Sequence, residues 1–290
     1  MKKKKQLSVI EGEVQDGDAE CLVLDGDITQ GEINHLNKHN ITIYLKSRFQ
    51  FLKKQDGLRP MCLHVLLGTA GSGKSTLSKT IILDVAKEER VLIWLTEESK
   101  NDFLLGYLKL PGARESLANL AFVEEESLSD RYTQNWDGIV TMVNIAIDTH
   151  KPALFVMDNI TTSVVYESMK IAEHNEFIRY LKFTSKKKQF ATLIIAHTGK
   201  GIVDSNRRLI GLGDVKGTSA LENKAEYFYV YQRICIADQF YPFVRVIKSR
   251  YHQNNASFFL KFNKFTSGYE SDNEVAYTQL ESWFTDANKR

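Results

Sequence analysis

From residue 63 onward, short and nearly continuous apolar runs alternate with longer segments whose apolar positions recur every third or fourth residue. The runs LHVLLG, RVLIWLT, LANLAFVE, ALFVMD and ATLIIAH read as strands covered on both faces. Between them, STLSKTIILDVAKEE sets Leu77, Ile81 and Val85 on one helical stripe. TQNWDGIVTMVNIAIDTH does the same with Trp136, Val140, Val143 and Ile147, and EHNEFIRYLKFTS supplies a further helix. Alternation of this kind predicts a mainly parallel sheet flanked by helices.

After residues 199–217 the pattern changes. EYFYVYQRI, FVRVIKSRY and ASFFLKFNKF follow one another with short connections, and ADQFYP suits a hairpin turn. They predict an antiparallel C-terminal extension of three strands. Upstream, the first 40 or so residues are polar and locally acidic and show little periodicity. They read as an arm with one short helix near GEINHLNKHN, and IYLKSRFQFLKK reads as a second helix leading into the main body. The expected organisation is an N-terminal arm or linker over 1–45, an α/β domain over 46–268 and a tail over 269–290.

Composition narrows the class. A chain of 290 residues buries enough surface to need no staples. Cys21, Cys62 and Cys235 are scattered and form no CxxC pair, which argues against a zinc site or a disulfide framework. A net charge of +2 leaves any nucleic-acid contact to local basic loops. MKKKKQLSV has no apolar run behind it, and no stretch approaches the ~20 apolar residues of a membrane span. A soluble, cytoplasmic protein is expected.

The chemistry concentrates at the ends of the apolar runs. GTAGSGKST, residues 68–76, fits the phosphate-loop pattern at Gly68, Gly73, Lys74 and Ser75, with a strand before it and a helix after it. The backbone N–H groups of Gly68, Ala70, Gly71, Ser72, Gly73, Lys74, Ser75 and Thr76 are expected to curl around phosphates. Lys74 neutralises the terminal oxygens, and Ser75 ligates Mg²⁺. ATP and Mg²⁺ are the expected cofactors. Asp158 ends ALFVMD and is placed to hold the metal shell. Glu97 and Glu98 follow a buried strand. Glu97 is read as orienting the attacking water, but the spacing leaves open which of the two does so, and both also suit a helix start. His197 ends ATLIIAH and reads either as a sensor of the terminal phosphate or as a structural histidine.

The loop 199–217 is long, glycine-rich and basic at Lys200, Arg207, Arg208 and Lys216. That composition suits phosphate backbones without sequence readout, or a solvated loop. Near the C-terminus, FVRVIKSRYHQ closes an apolar strand with Lys248 and Arg250, two apart and so on one face. They face an anion, or they blunt a strand edge against aggregation.

Taken together these stretches resemble the RecA-type P-loop NTPases, and within them the DnaB-like hexameric replicative helicases. The resemblance covers roughly residues 51–265. FLKKQDGLRPMCLHVLLGTAGSGKST, VLIWLTEES, LFVMD, LIIAHTGKG, VIKSRYH and FFLKFNKFTSGY are similar to that family's successive elements. At His197 the chain looks closer to plasmid RepA-type helicases, and the double acid TEES is shared with KaiC-like ATPases. The resemblance implies a RecA-like α/β core, Glu97 as the water-activating acid and Asp158 as the metal acid. It also implies Lys248 and Arg250 reaching into a neighbour's nucleotide site as fingers in trans. A homo-oligomeric ring, a hexamer, would then use its basic loops to translocate on single-stranded DNA as a helicase in replication, alongside replication proteins. Two alternatives are a non-motor DNA-binding ATPase, such as a recombination mediator or helicase loader, and a KaiC-like regulatory ATPase.

Overall fold

A computed structural model of the chain describes residues 44–128, 136–199, 208–216, 219–236, 239–252 and 256–287, all within the compact unit Ile43–Arg290. The arm over 1–43, with its expected short helix, and the cations Lys200 and Arg207 lie outside the described residues.

The five apolar runs form strands β1 (Leu63–Gly68), β2 (Val91–Leu95), β3 (Leu120–Glu124), β4 (Leu154–Asp158) and β5 (Ala191–His197). β6 (Tyr227–Ile236), β7 (Gln239–Ser249), β8 (Ala256–Asn263) and β9 (Gly268–Val275) follow. They make one sheet in the order β3-β2-β4-β5-β1-β6-β7-β8-β9. β1 to β6 pair in parallel; β6 to β9 pair antiparallel. The fold is thus α/β, with a parallel core between helices and an antiparallel C-terminal extension.

Side chains alternate across the sheet into two cores, as the period of a strand requires. Val91, Ile93, Leu95, Leu154, Val156, Leu193 and Ile195 pack with Leu77, Ile81 and Val85 of helix α1 (Lys74–Ala86) and with Phe103 of α2 (Lys100–Tyr107). Leu92, Trp94, Phe155, Met157, Ile194 and Ala196 pack on the other face. There they meet α3 (Trp136–His150) and α4 (Ile171–Lys188). α3 buries Ile139, Met142, Val143 and Ile147, so its inward stripe is rotated from the expected one: Val140 and Trp136 are only half-buried. Lys186, Lys187 and Lys188 fill the last turn of α4, where cations complement the helix dipole.

Two expectations give way. IYLKSRFQFLKK is helical only over Gln50–Lys53, and Leu45 instead bridges Leu58. Its apolar residues Leu45, Phe49, Phe51 and Leu52 are all buried, so tertiary packing rather than one amphipathic stripe decides their path. The single turn is started by the Asp272 carboxylate, which accepts from Gln50 N and Phe51 N. The described part of the expected tail, residues 269–287, carries regular structure. It holds most of β9 and the helix α5 (Tyr277–Ala287), whose Leu280 and Phe284 pack on Ile234 and Phe243. The alternation in GYESDNEV is mostly polar, which hid the strand. Among the described residues no helix is long and apolar enough to cross a membrane.

Candidate functional site

Parallel strands deliver their last residues to one edge. Gly68 stands opposite His197, and Leu95 opposite Asp158, so the phosphate-loop residues, Glu97, Asp158 and His197 gather at the carboxyl ends of β1, β2, β4 and β5.

The loop after β1 turns through two left-handed glycines, Gly71 (φ 66°) and Gly73 (φ 111°). A Cβ on Gly71 would meet nothing within 4 Å, so the concave face is open there. A Cβ on Gly73 would lie 2.9 Å from Tyr231 Oη and 3.0 Å from Arg233 Nη2. Thr69 O accepts from Ser72 N, Ser72 Oγ and Lys74 Nζ, the last at 2.7 Å. Lys74 is 4% exposed, and burial lowers its ammonium pKa to about 8 against the opposing pull of Asp158 and Glu97. This is a buried cation with donors in excess of its acceptors, beside a loop of backbone N–H groups at a helix start. Such an arrangement can receive an oxyanion.

Asp158 is 4% exposed, and burial raises its carboxyl pKa to about 6. Its Oδ2 accepts from Ser78 Oγ at 3.0 Å, and among the described residues no Lys or Arg stands within ion-pair distance of it. A buried carboxylate with one hydroxyl donor and no cationic partner, one helical turn from the Ser75 hydroxyl, fits a divalent cation. Ser78 is absent from the sequence reading. Its signal was the i, i+3 spacing from Ser75 on α1, which keeps both on one side of the helix.

The two acids after β2 part company. Glu98 Oε2 pairs with Lys79 Nζ at 2.9 Å, whereas Glu97 Oε1 lies 3.9 Å from His197 Nδ1 with its side chain 40% exposed. Glu97 therefore faces the site, and Glu98 is held by α1.

A hydrogen-bond cluster behind His197 was not visible in the sequence. Asn159, 1% exposed, accepts at Oδ1 from Thr161 Oγ1, Thr162 N and Thr162 Oγ1. Its Nδ2 must then donate to His197 Nε2, at 3.1 Å. That fixes the neutral imidazole with its proton on Nδ1, toward Glu97. Burial first, then Lys74, lower the imidazole pKa to about 4. Thr96 Oγ1 accepts from Asn159 N and donates to Asn159 O, joining β2 to the same turn.

The basic loop is less open than its composition implies. Arg208 is paired twice with Asp214, at 2.7 and 2.9 Å. Lys216 Nζ donates to Thr161 O and pairs with Glu167 at 2.8 Å. Thr198 bridges Val215, folding residues 208–216 back against the end of β5.

Lys248 and Arg250 stand at the other end of the sheet. Ser249 is opposite Tyr227, which is opposite His64, four residues of strand before Gly68. At the usual rise this is about 13 Å along the strand direction from the chain's own phosphate loop, and two strands across from it. Lys248 Nζ donates to Glu222 O at 2.6 Å, and Arg250 Nη1 lies 3.6 Å from Glu226 Oε1. Among the described residues, Arg233 is a cation that does approach the loop of its own chain. It follows Tyr231 at a spacing of two on β6, a pattern legible in YVYQRI only once β6 is known to lie beside β1.

No family model matches the chain, and no curated protein matches it. Among solved structures, a KaiC-like protein from the hyperthermophilic archaeon Pyrococcus horikoshii OT3 superposes with a TM-score of 0.62 at 15% sequence identity. The match covers 80% of this chain and 99% of that one. It shows the RecA-like fold.

Proposed function

We propose that the chain is an ATP hydrolase whose nucleotide site is completed by a second copy of itself. The observation that carries this reading is the convergence of Lys74, Asp158, Glu97 and His197 at one sheet edge, with Glu98 drawn away by Lys79. Lys74 and the loop N–H groups hold the terminal phosphates. Ser75 and Asp158 would hold Mg²⁺, which would supply neutralising charge to the phosphate oxygens. Glu97 orients a water in line with the γ phosphorus and takes its proton. His197, with its proton on Nδ1, faces Glu97 and would donate there or to the γ-phosphate.

Lys248 and Arg250 cannot serve their own loop from the far end of the sheet. Their place suits an adjacent copy's site, where an arginine in trans stabilises charge in the transition state. Arg233 is a cation on the loop's own side.

Two outputs fit this engine. A ring-shaped helicase or translocase on single-stranded DNA is supported by the sequence resemblance to DnaB-like enzymes. A KaiC-like regulatory ATPase is favoured by the ion pairs that already engage Arg208 and Lys216. The deciding experiment measures strand separation, and ATP turnover with and without single-stranded DNA, on material whose mass in solution is known. Stimulation by DNA together with strand separation supports the motor, stimulation without strand separation supports a non-motor DNA-binding ATPase, and indifference supports the regulator. A monomer turning over at full rate removes the shared site altogether.

A further inference from the structure

Burying a carboxylate is costly unless its charge is matched, and Glu226 is 1% exposed. One of its oxygens, Oε2, accepts from Leu63 N at 3.0 Å at the start of β1. The backbone N–H of Glu226 donates to Leu63 O, and its carbonyl accepts from Arg250 N, each at 3.0 Å. Its other oxygen, Oε1, lies 3.6 Å from Arg250 Nη1 and is ion-paired with Lys182, whose Nζ also donates to Lys224 O. Capping β1 needs only a neutral acceptor. The negative charge and the second oxygen are directed at cations.

We propose that Glu226 is the positioning residue for Arg250, a role that rests on the reading of Arg250 as a finger in trans. A guanidinium is planar and carries five N–H donors. Glu226 Oε1 stands 3.6 Å from Nη1, an ion pair without a hydrogen bond, and the Arg250 side chain stays 59% exposed, so its other donors are free to meet a further anion. The same carboxylate anchors the amino end of β1, so the aim of the finger is referenced to the strand that ends in the chain's own phosphate loop. Lys182 shares the carboxylate and tempers its hold, leaving Arg250 able to bind a second anion.

The test is Glu226→Gln, which keeps an oxygen for Leu63 N and removes the charge. Turnover should fall about ten-fold, with KM and ATP affinity unchanged, because the loss is one of aim. Complementation then locates the defect. Lys74→Ala and Arg250→Ala chains, each inactive alone, should recover turnover when co-expressed, since one supplies the loop and the other the finger. Glu226→Gln co-expressed with Lys74→Ala should recover in the same way. Wild-type turnover in Glu226→Gln overturns the proposal. So does failure of its pairing with Lys74→Ala while the Arg250→Ala pairing succeeds, because the defect then lies in the chain's own site. If the Arg250→Ala pairing fails too, the shared site is wrong and Glu226 loses its role with it. Should Glu226→Gln not fold, Glu226→Asp enters the same co-expression with the same two outcomes.

Discussion

Asn159 and His197 meet through a single hydrogen bond of 3.1 Å, and the three donors on Asn159 Oδ1 decide its direction. The imidazole can only accept there, and its one proton points at Glu97. Asn159→Asp keeps the three donors satisfied but offers His197 Nε2 an acceptor, so Nε2 becomes protonated, by a tautomer switch or by a second proton, and the new negative charge beside the ring favours the imidazolium. The imidazole pKa should rise from about 4 past its ordinary value, as read by an NMR titration of His197. Turnover should fall about ten-fold as Glu97 becomes pinned to a cation. An unchanged titration would show that the cluster does not set the tautomer.

Glu97 and Glu98 are adjacent in sequence but differently placed, Glu97 facing His197 and Glu98 paired with Lys79. Glu97→Gln should lower ATP turnover by about 10²–10⁴-fold with nucleotide affinity retained. Glu98→Gln breaks only a half-buried pair with Lys79 and should cost less than about 1 kcal/mol of stability. Steady-state kinetics beside equilibrium nucleotide titration separates the two.

Lys74 carries a conflict between stability and function. Its folded pKa, about 8, lies below the unfolded value, so between about 8 and 10.5 the unfolded chain binds more protons. Relative to Lys74→Met, nucleotide-free wild type should therefore gain stability as pH rises through that window, the comparison cancelling Cys62 and the buried tyrosines, whose raised pKa values act with the opposite sign. At pH 7 Lys74→Met should be the more stable protein, by an amount of the order of 3 kcal/mol, while losing ATP binding. Denaturant melts at pH 7 and pH 10 check both signs.

His64 lies wholly buried against Tyr227, with rings 4.5 Å apart and nearly parallel. Nε2–H donates to Arg59 O, so Nδ1 accepts from Tyr229 Oη, and a second proton has no place. Burial lowers its pKa to about 4. The unfolded chain then binds more protons between about pH 6.5 and 4, and the His64 contribution to stability is lost as pH falls through that window. Relative to His64→Gln, wild type should lose stability of the order of 3 kcal/mol across it. Comparing the two proteins cancels Asp158, whose raised pKa acts with the opposite sign.

Much of the core was legible because β1 to β5 are apolar on both faces, and a run such as VLIWL has few other homes. The phosphate loop, Glu97, Asp158 and His197 were legible because each ends such a run, and parallel strands end together. Ser78, Asn159 and Arg233 were not. Their roles depend on which strand neighbours which, and β6 joins β1 across 160 residues of chain. β9 was hidden for another reason: as an edge strand it buries Gly268, Tyr269 and Asp272 but few aliphatic residues, so its sequence carries little apolar rhythm.

The ion pairs of Arg208 with Asp214 and of Lys216 with Glu167 bear on any polyanion that approaches this edge. Each phosphate must evict a carboxylate, and the freed acid gathers sodium or potassium from solution as the nucleic acid sheds it. The two exchanges nearly cancel in counterions. Affinity through these two positions should therefore fall less steeply with added salt than a count of lysines and arginines implies, by about two units of log–log slope.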